Sequence, residues 1–131
     1  MGFLKPFEDR IYALLRIVAG LMFVQHGLQK LFGLFGGPPA GAPPAILYSA
    51  GPIELLGGLL VAIGLFTAPA AFVCSGTMAV AYFMAHWGRT GEFFPILNQG
   101  ELAILYCWVF FLVAARGAGT WSVDAARGGA S

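Results

Sequence analysis

Polar side chains that could do chemistry are few in this sequence. Seven Lys or Arg and six Asp or Glu residues are spread over 131 residues, so an ionisable group inside an apolar stretch stands out. Histidine and glutamate can exchange protons with a bound molecule, and lysine and amide groups can hold it by hydrogen bonds. The candidate polar cluster consists of His26, Gln29, Lys30, Glu54, His86, Asn98 and Glu101.

Several of these residues also have a structural interpretation. Asn98 followed by Glu101 has the spacing of a capping box at the start of a helix. Lys30 could reach lipid headgroups, and His86 could lie at the membrane surface. The sequence contains no Cys-x-x-Cys pair, His-x-x-Glu-His pattern or glycine-rich phosphate loop, so we predict no metal site and no intrinsic cofactor.

The amino-acid composition indicates whether these side chains lie in lipid or in water. Hydrophobic residues make up 59% of the chain and charged residues 10%, which suits lipid better than water. The net charge of +1 leaves no basic surface for nucleic acid. Cys74 and Cys107 lie within apolar runs, where a thiol packs as a small hydrophobic group, so no disulfide is predicted.

Four apolar stretches are each close to the length that a helix needs to cross a bilayer: residues 11–31, 49–66, 69–87 and 99–115. We therefore predict an all-α membrane protein, a single domain over residues 1–131 folded as an antiparallel four-helix transmembrane bundle. Small residues recur at helical spacing, among them Gly20 and Gly27 on the first stretch and Gly51 and Gly58 on the second. Such residues predict close contacts between helices in lipid.

Successive spans cross the membrane in opposite directions, so the candidate residues come to similar depths in the membrane. All seven fall in the outer half of the membrane, whereas Arg16 lies towards the other side and is interpreted as a snorkelling or packing charge. Glu54 comes level with His26. A carboxylate at this depth costs several kcal/mol unless it is neutral or paired, so we predict that Glu54 pairs with His26 or Lys30. Aromatic residues that could surround this cluster are Tyr48, Tyr82, Trp87 and Tyr106.

Three sequence blocks and a closing motif cover residues 14–124. The blocks are LLRI at 14–17 with HGLQKLFG at 26–33, ELLGGL at 54–59 with GLFT at 64–67, and FFP at 93–95 with NQGELA at 98–103; the closing motif is WSVD at 121–124. In order and spacing they resemble the DoxX family, except that Ala68 stands where the family pattern usually has Arg. The resemblance implies a four-helix membrane protein and a possible quinone-linked role, with matching polar positions at His26, Lys30, Glu54 and Glu101.

Two classes of function follow as hypotheses. The first is a small subunit of a quinone-linked redox assembly in a bacterial inner membrane, with the polar cluster as the quinone or proton site and with lipid, a redox protein or a second copy as partner. The alternative is a structural scaffold subunit on a larger respiratory or photosynthetic complex. Haem ligation by His26 and His86 is not predicted, because histidines at span ends are common interfacial residues. A channel or transporter would need an oligomer to enclose a path.

Charge asymmetry predicts the topology. Lys5, Arg10, Arg116 and Arg127 fall on the side of the termini, and only Lys30 and Arg89 fall on the other. By the positive-inside rule, both termini lie in the cytoplasm. We expect a C-terminal reporter that is active only outside the cytoplasm to be silent and a cytoplasmic reporter at the same position to be active. The opposite pattern would contradict this topology.

Overall fold

The computed structural model describes residues 1–128, and all regular structure in this range is helical. A short 3₁₀ turn at Lys5–Phe7 precedes the first helix. The helices are α1 (Glu8–Phe32), α2 (Pro44–Ile63), α3 (Thr67–Thr90), α4 (Pro95–Asn98), α5 (Glu101–Arg116) and α6 (Val123–Ala126).

Three of these helices are long and apolar enough to cross a membrane, namely α1 with its preceding turn, α2 and α3. This finding confirms the prediction of an all-helical, multi-pass membrane protein. The fourth predicted span corresponds to α5, which has 16 residues. At 1.5 Å per residue α5 extends about 24 Å, less than the roughly 30 Å of a typical hydrocarbon core. The fourth crossing therefore stays a prediction.

The second helix is displaced relative to its predicted span. It begins at Pro44 rather than at residue 49, because proline at the first helical position presets the backbone and has no amide proton to leave unpaired. It ends at Ile63 rather than at residue 66, because Gly64 adopts a left-handed conformation with φ of 72°. Such a glycine commonly ends a helix, since it has no Cβ to oppose this conformation.

The helices α1 and α2 approach each other through glycines. A Cβ added to Gly20 would lie 2.7 Å from the carbonyl oxygen of Gly58, and a Cβ added to Gly27 would lie 2.5 Å from the backbone nitrogen of Leu55. Neither position has room for a larger side chain. The close contacts predicted from the spacing of small residues are therefore confirmed on these two helices.

The core of the molecule lies between α1, α2, α3 and α5. The Phe23 ring packs 4.8 Å from the Phe110 ring and 5.3 Å from the Tyr106 ring, measured between centroids, so aromatic side chains fill the space between α1 and α5. On the α3 side, the Ser75 hydroxyl donates to the Cys107 carbonyl at 2.8 Å. Both cysteines are free thiols, as predicted.

Arg16 does not snorkel to the membrane surface, so that part of its interpretation is wrong. Its side chain is completely buried and points into the protein. The guanidinium donates to the carbonyls of Val61 and Ala62 at 2.7 and 2.8 Å, and to those of Thr120 and Trp121 at 3.3 and 2.8 Å. The first two carbonyls belong to the last turn of α2, where a cation is favourable; that of Val61 also accepts from the backbone of Gly64 at 3.2 Å. Arg16 thus joins α1, the end of α2 and the C-terminal segment.

Asp124 completes this attachment from the C-terminal segment. Its carboxylate accepts hydrogen bonds from the backbone of Phe66 at 3.0 Å, the backbone of Thr67 at 2.9 Å and the hydroxyl of Thr67 at 2.8 Å. Burial by itself raises the pKa of the Asp124 carboxyl, but these hydrogen bonds and the nearby charge of Arg127 hold that pKa below its usual value. A residue 57 positions away therefore caps the N-terminus of α3.

We expect Asp124→Ala to lower the free energy of unfolding in mild detergent by roughly 2 kcal/mol, because it removes a charged cap from α3. Since folding lowers the pKa of Asp124, this contribution is fully present above the ordinary carboxyl pKa of about 4 and is lost as the pH falls below it. Asp9→Ala is the control, because it removes an exposed carboxylate that pairs with Arg116. Equal melting temperatures for the two variants from pH 5 to 7 would contradict the cap.

Candidate functional site

A buried ion pair joins α1 to α2 in the half of the molecule away from Arg16. The ammonium of Lys30 donates to both carboxylate oxygens of Glu54, at 2.9 and 2.8 Å. Glu54 is only 2% exposed, and the Lys30 side chain is 15% exposed. The predicted pairing of Glu54 is therefore confirmed, with Lys30 as the partner.

Local helix geometry and packing place the two charges opposite each other. Residues Ile53–Gly57 form a π-helical turn within α2, directly after Pro52, whose missing amide proton interrupts the α-helical hydrogen bonds. This turn carries Glu54. On α1, the close contact of Gly27 with the backbone of Leu55 brings the following turn, with Lys30, against the same part of α2. π-Helical turns occur frequently at functional sites.

His26 and Tyr106 lie beside this pair. The ring of half-buried His26 meets the Tyr106 ring edge to face, with centroids 5.9 Å apart. His26 is one turn before Lys30 on α1, so the imidazole and the ammonium share a face of that helix. Tyr106, on α5, is 5% exposed. An imidazole, an ammonium, a carboxylate and a phenol thus come together, a combination that can exchange protons and donate hydrogen bonds.

His86 and Asn98 form a second polar group, between the end of α3 and the start of α5. His86 lies in a π-helical turn, Tyr82–Trp87, and its Nδ1 is 3.1 Å from the Asn98 carbonyl oxygen. The Asn98 amide donates to the carbonyl of Glu92 at 2.8 Å, and its side-chain oxygen accepts from the backbone of Gly100 at 2.8 Å. Tyr82 donates to the Phe93 carbonyl. These bonds hold the 91–100 segment in place.

The capping-box interpretation of Asn98 and Glu101 is wrong. Gly100 precedes α5, and no side chain caps the first turn of that helix. Asn98 instead spans the connecting segment, and Glu101 is exposed. Glu101 lines an open groove of about 520 Å³ together with Pro95, Ile96, Gln99, Leu102 and Leu105.

The remaining candidate, Gln29, lies apart from both groups. Its amide donates to the Phe35 carbonyl at 3.2 Å and so ties the end of α1 to the following loop. The structure therefore brings Lys30 to Glu54, with His26 nearby, and brings His86 to Asn98. It places Gln29 and Glu101 elsewhere.

From the sequence, Tyr106 is predicted only as one of four aromatic residues that could surround the polar cluster. The buried residues of α5 are spaced by three, four and three positions along one face of the helix: Ala103, Tyr106, Phe110 and Val113. That spacing could have identified Tyr106 as facing inward. The signal is weak, because the lipid-facing residues of α5 are also apolar, for example Leu105 and Trp108.

One family model and two relatives match this chain. The family model described as DoxX matches residues 11–87, which include Lys30 and Glu54. A Haemophilus influenzae protein described as "Uncharacterized protein" is 42% identical over 129 residues, 95% of this chain and 96% of that protein. A Bacillus subtilis protein named "Putative oxidoreductase CatD" is 41% identical over 58 residues, 41% of this chain and 43% of that protein. No solved structure matches this chain significantly.

We expect Lys30→Met to lower the free energy of unfolding by roughly 3 kcal/mol, because it leaves the buried Glu54 carboxylate without its partner. The double variant Lys30→Met with Glu54→Leu should recover most of this loss, since no unpaired charge then remains. Lys5→Met is the control, because Lys5 pairs with Glu8 at 2.6 Å but both side chains are exposed. Thermal unfolding of the purified variants measures the difference. If Lys30→Met unfolds like the control, the buried pair does not stabilise the fold.

Proposed function

This chain belongs to the DoxX family, and on that premise we propose that it is a small membrane subunit of a quinone-linked redox assembly. The observation that carries the proposal is the buried Lys30–Glu54 pair next to His26. Ionisable residues inside membrane segments are costly and commonly mark functional sites. The Bacillus subtilis relative named "Putative oxidoreductase CatD", which matches 41% of this chain, supports the redox part of this proposal.

The side chains around the pair suit a quinone head group. The Lys30 ammonium carries three protons and directs two of them at Glu54, which leaves one to donate to a carbonyl oxygen. The rings of Phe23 and Tyr106 pack against each other with centroids 5.3 Å apart and make the protein interior beside His26 apolar. Reduction of a quinone to a quinol takes two electrons, which we assign to a redox centre of the partner protein, and two protons. His26 and Glu54 are the residues able to pass those protons.

We further propose that α5 completes a four-helix antiparallel transmembrane bundle. Its first turn lies beside the end of α3, where Asn98 meets His86. Its last turn lies beside the beginning of α1, where Arg116 pairs with Asp9 at 2.9 Å. A helix that connects these two ends follows the same path as α1 to α3, and a local thinning of the bilayer accommodates its short length.

This arrangement supports the topology proposed for a bacterial inner membrane. Because the end of α5 returns to the beginning of α1, the basic residues near both termini gather at one end of the molecule: Lys5, Arg10, Arg116 and Arg127. We place this end in the cytoplasm on the positive-inside rule. The Lys30–Glu54 pair then lies in the outer half of the membrane.

Gentle extraction from native membranes, followed by mass spectrometry of the lipids and proteins that co-migrate, tests the proposed function. We expect a quinone in near-stoichiometric amount together with a redox protein. A large partner in fixed ratio without quinone would support the scaffold alternative instead. Glu54→Gln keeps the shape of the side chain and removes its charge, so we expect it to fold and to lose quinone reduction in membranes. Full quinone reduction by Glu54→Leu would refute a chemical role for this carboxylate.

A further inference from the structure

An open groove of about 530 Å³ lies between the beginning of α1 and the end of α5. This volume is within the range of small-molecule binding sites, roughly 300–1,000 Å³. The groove combines apolar and charged side chains. The apolar ones include Leu4, Ile11, Leu15 and Leu112, and the charged ones are Lys5, Glu8 and Arg116.

The charged residues lie at one end of the groove and the apolar ones extend away from it. On α1, Ile11 and Leu15 are four positions apart and share one face. On α5, whose last turn lies beside the beginning of α1, Leu112 lies one helical turn before Arg116. The distance along the helix axis from Lys5 to Leu15 is roughly 15 Å, half of the roughly 30 Å hydrocarbon core. The groove therefore has the length of one membrane leaflet.

The charged end of the groove lies at the depth of lipid headgroups. With its preceding turn, α1 has 28 residues and extends about 40 Å, which is longer than the hydrocarbon core. The segment before α1 also exposes large apolar side chains beside a lysine: Met1, Phe3, Leu4 and Phe7. Apolar side chains next to a basic residue are typical of a segment that lies in the membrane interface.

The ion pairs at this end are exposed and can exchange partners. Lys5 donates to Glu8 at 2.6 Å and Arg116 donates to Asp9 at 2.9 Å, and all four side chains are exposed. Exposed pairs contribute little to stability, so a stronger acceptor can bind these donors. The Arg116 guanidinium also lies 4.1 Å from the centroid of the Tyr12 ring, which holds it at the groove.

The charge at this end favours an anion. The first residues of the helical segment and the last turn of α5 carry three basic side chains and two acidic ones: Lys5, Arg10 and Arg116 against Glu8 and Asp9. The other open groove has the opposite character, because the charged residue among its described lining is Glu101. Selectivity for an anion is therefore a property of the groove between α1 and α5.

We propose that this groove binds one phospholipid of net negative charge, with its phosphate on Lys5 and Arg116 and one acyl chain along Ile11, Leu15 and Leu112. A guanidinium binds phosphate with two parallel hydrogen bonds, and the ammonium adds a second charge. Basic pockets between membrane helices bind anionic headgroups in this way. Phosphatidylcholine carries its own cation beside the phosphate, so the site prefers phosphatidylglycerol. This site is separate from the Lys30–Glu54 pair and does not depend on the proposed function.

Native mass spectrometry of the full-length protein tests the proposal. The protein is released from nanodiscs that contain equal amounts of phosphatidylglycerol and phosphatidylcholine with the same acyl chains. We expect each chain to retain one phosphatidylglycerol in preference to phosphatidylcholine. Equal retention of the two lipids would refute selectivity for an anionic lipid.

Charge variants test the headgroup contacts. In titrations of phosphatidylglycerol in neutral detergent, Arg116→Gln and Lys5→Gln should each weaken binding about fivefold, because each removes one basic charge. Lys5→Gln changes only an exposed side chain, so it tests the site even if Arg116→Gln does not fold. Arg89→Gln is the control, since Arg89 is an exposed cation outside this groove. An equal loss of affinity in Arg89→Gln would mean that overall charge, not this groove, binds the lipid.

Asp9→Asn provides a test in the opposite direction. The Asp9 side chain is 81% exposed and competes with phosphate for Arg116, so removing its charge should strengthen phosphatidylglycerol binding by roughly two- to fivefold. If the Arg116–Asp9 pair only holds the helices together, Asp9→Asn should instead weaken binding as Arg116→Gln does, and the proposal would be wrong.

A bulky substitution tests the position of the acyl chain. Leu112→Trp fills the groove without changing its charge and should abolish the retained lipid, whereas Leu105→Trp, an exposed position of α5 that lines the other groove, should not. Full lipid retention by Leu112→Trp would refute the placement of the chain. A dimer without bound lipid that Leu112→Trp dissociates would identify a second copy of the protein as the occupant and overturn the proposal.

Discussion

The hydrocarbon core of a membrane offers no water, so each polar group that enters it must find a partner within the protein. This constraint governs where the charged residues of the chain lie. Arg16 is completely buried and is stable only because four backbone carbonyls surround its guanidinium. Glu54 is buried at the other end of α1 and α2 and depends in the same way on Lys30. These contacts join segments that lie far apart in the sequence.

The two buried charges nevertheless have different consequences. At the Arg16 end, the guanidinium and the Asp124 carboxylate bind backbone groups that helix ends leave free, so the charges stabilise the α2–α3 turn and the C-terminal segment. At the Lys30 end, two protons of the Lys30 ammonium are donated to the Glu54 carboxylate. The third ammonium proton and the Tyr106 hydroxyl remain as hydrogen-bond donors. Spare donors in an apolar surrounding favour a ligand. The first end therefore stabilises the fold, and the second end is where the proposed function has its site.

Close packing of α1 and α2 allows Lys30 to reach Glu54. Gly27 allows the backbone of α1 to touch that of α2 at Leu55, next to Glu54 in sequence. A bulkier residue at Gly27 would separate the helices and with them Lys30 from Glu54. The candidate site therefore depends on the small-residue contacts, because the packing of the two backbones sets the distance between Lys30 and Glu54.

The sequence by itself determined the membrane class, the close glycine contacts and the pairing of Glu54, because composition, residue size and depth along a span are local properties. It did not determine the partners of Arg16, the capping of α3 by Asp124 or the exposure of Glu101 in place of a capping box. Each of these depends on segments brought together by folding; Asp124 is 57 residues from Thr67. The inward position of Tyr106 also required the tertiary structure. In lipid the outer face of a helix is as apolar as its inner face, so hydrophobic periodicity does not show which residues meet.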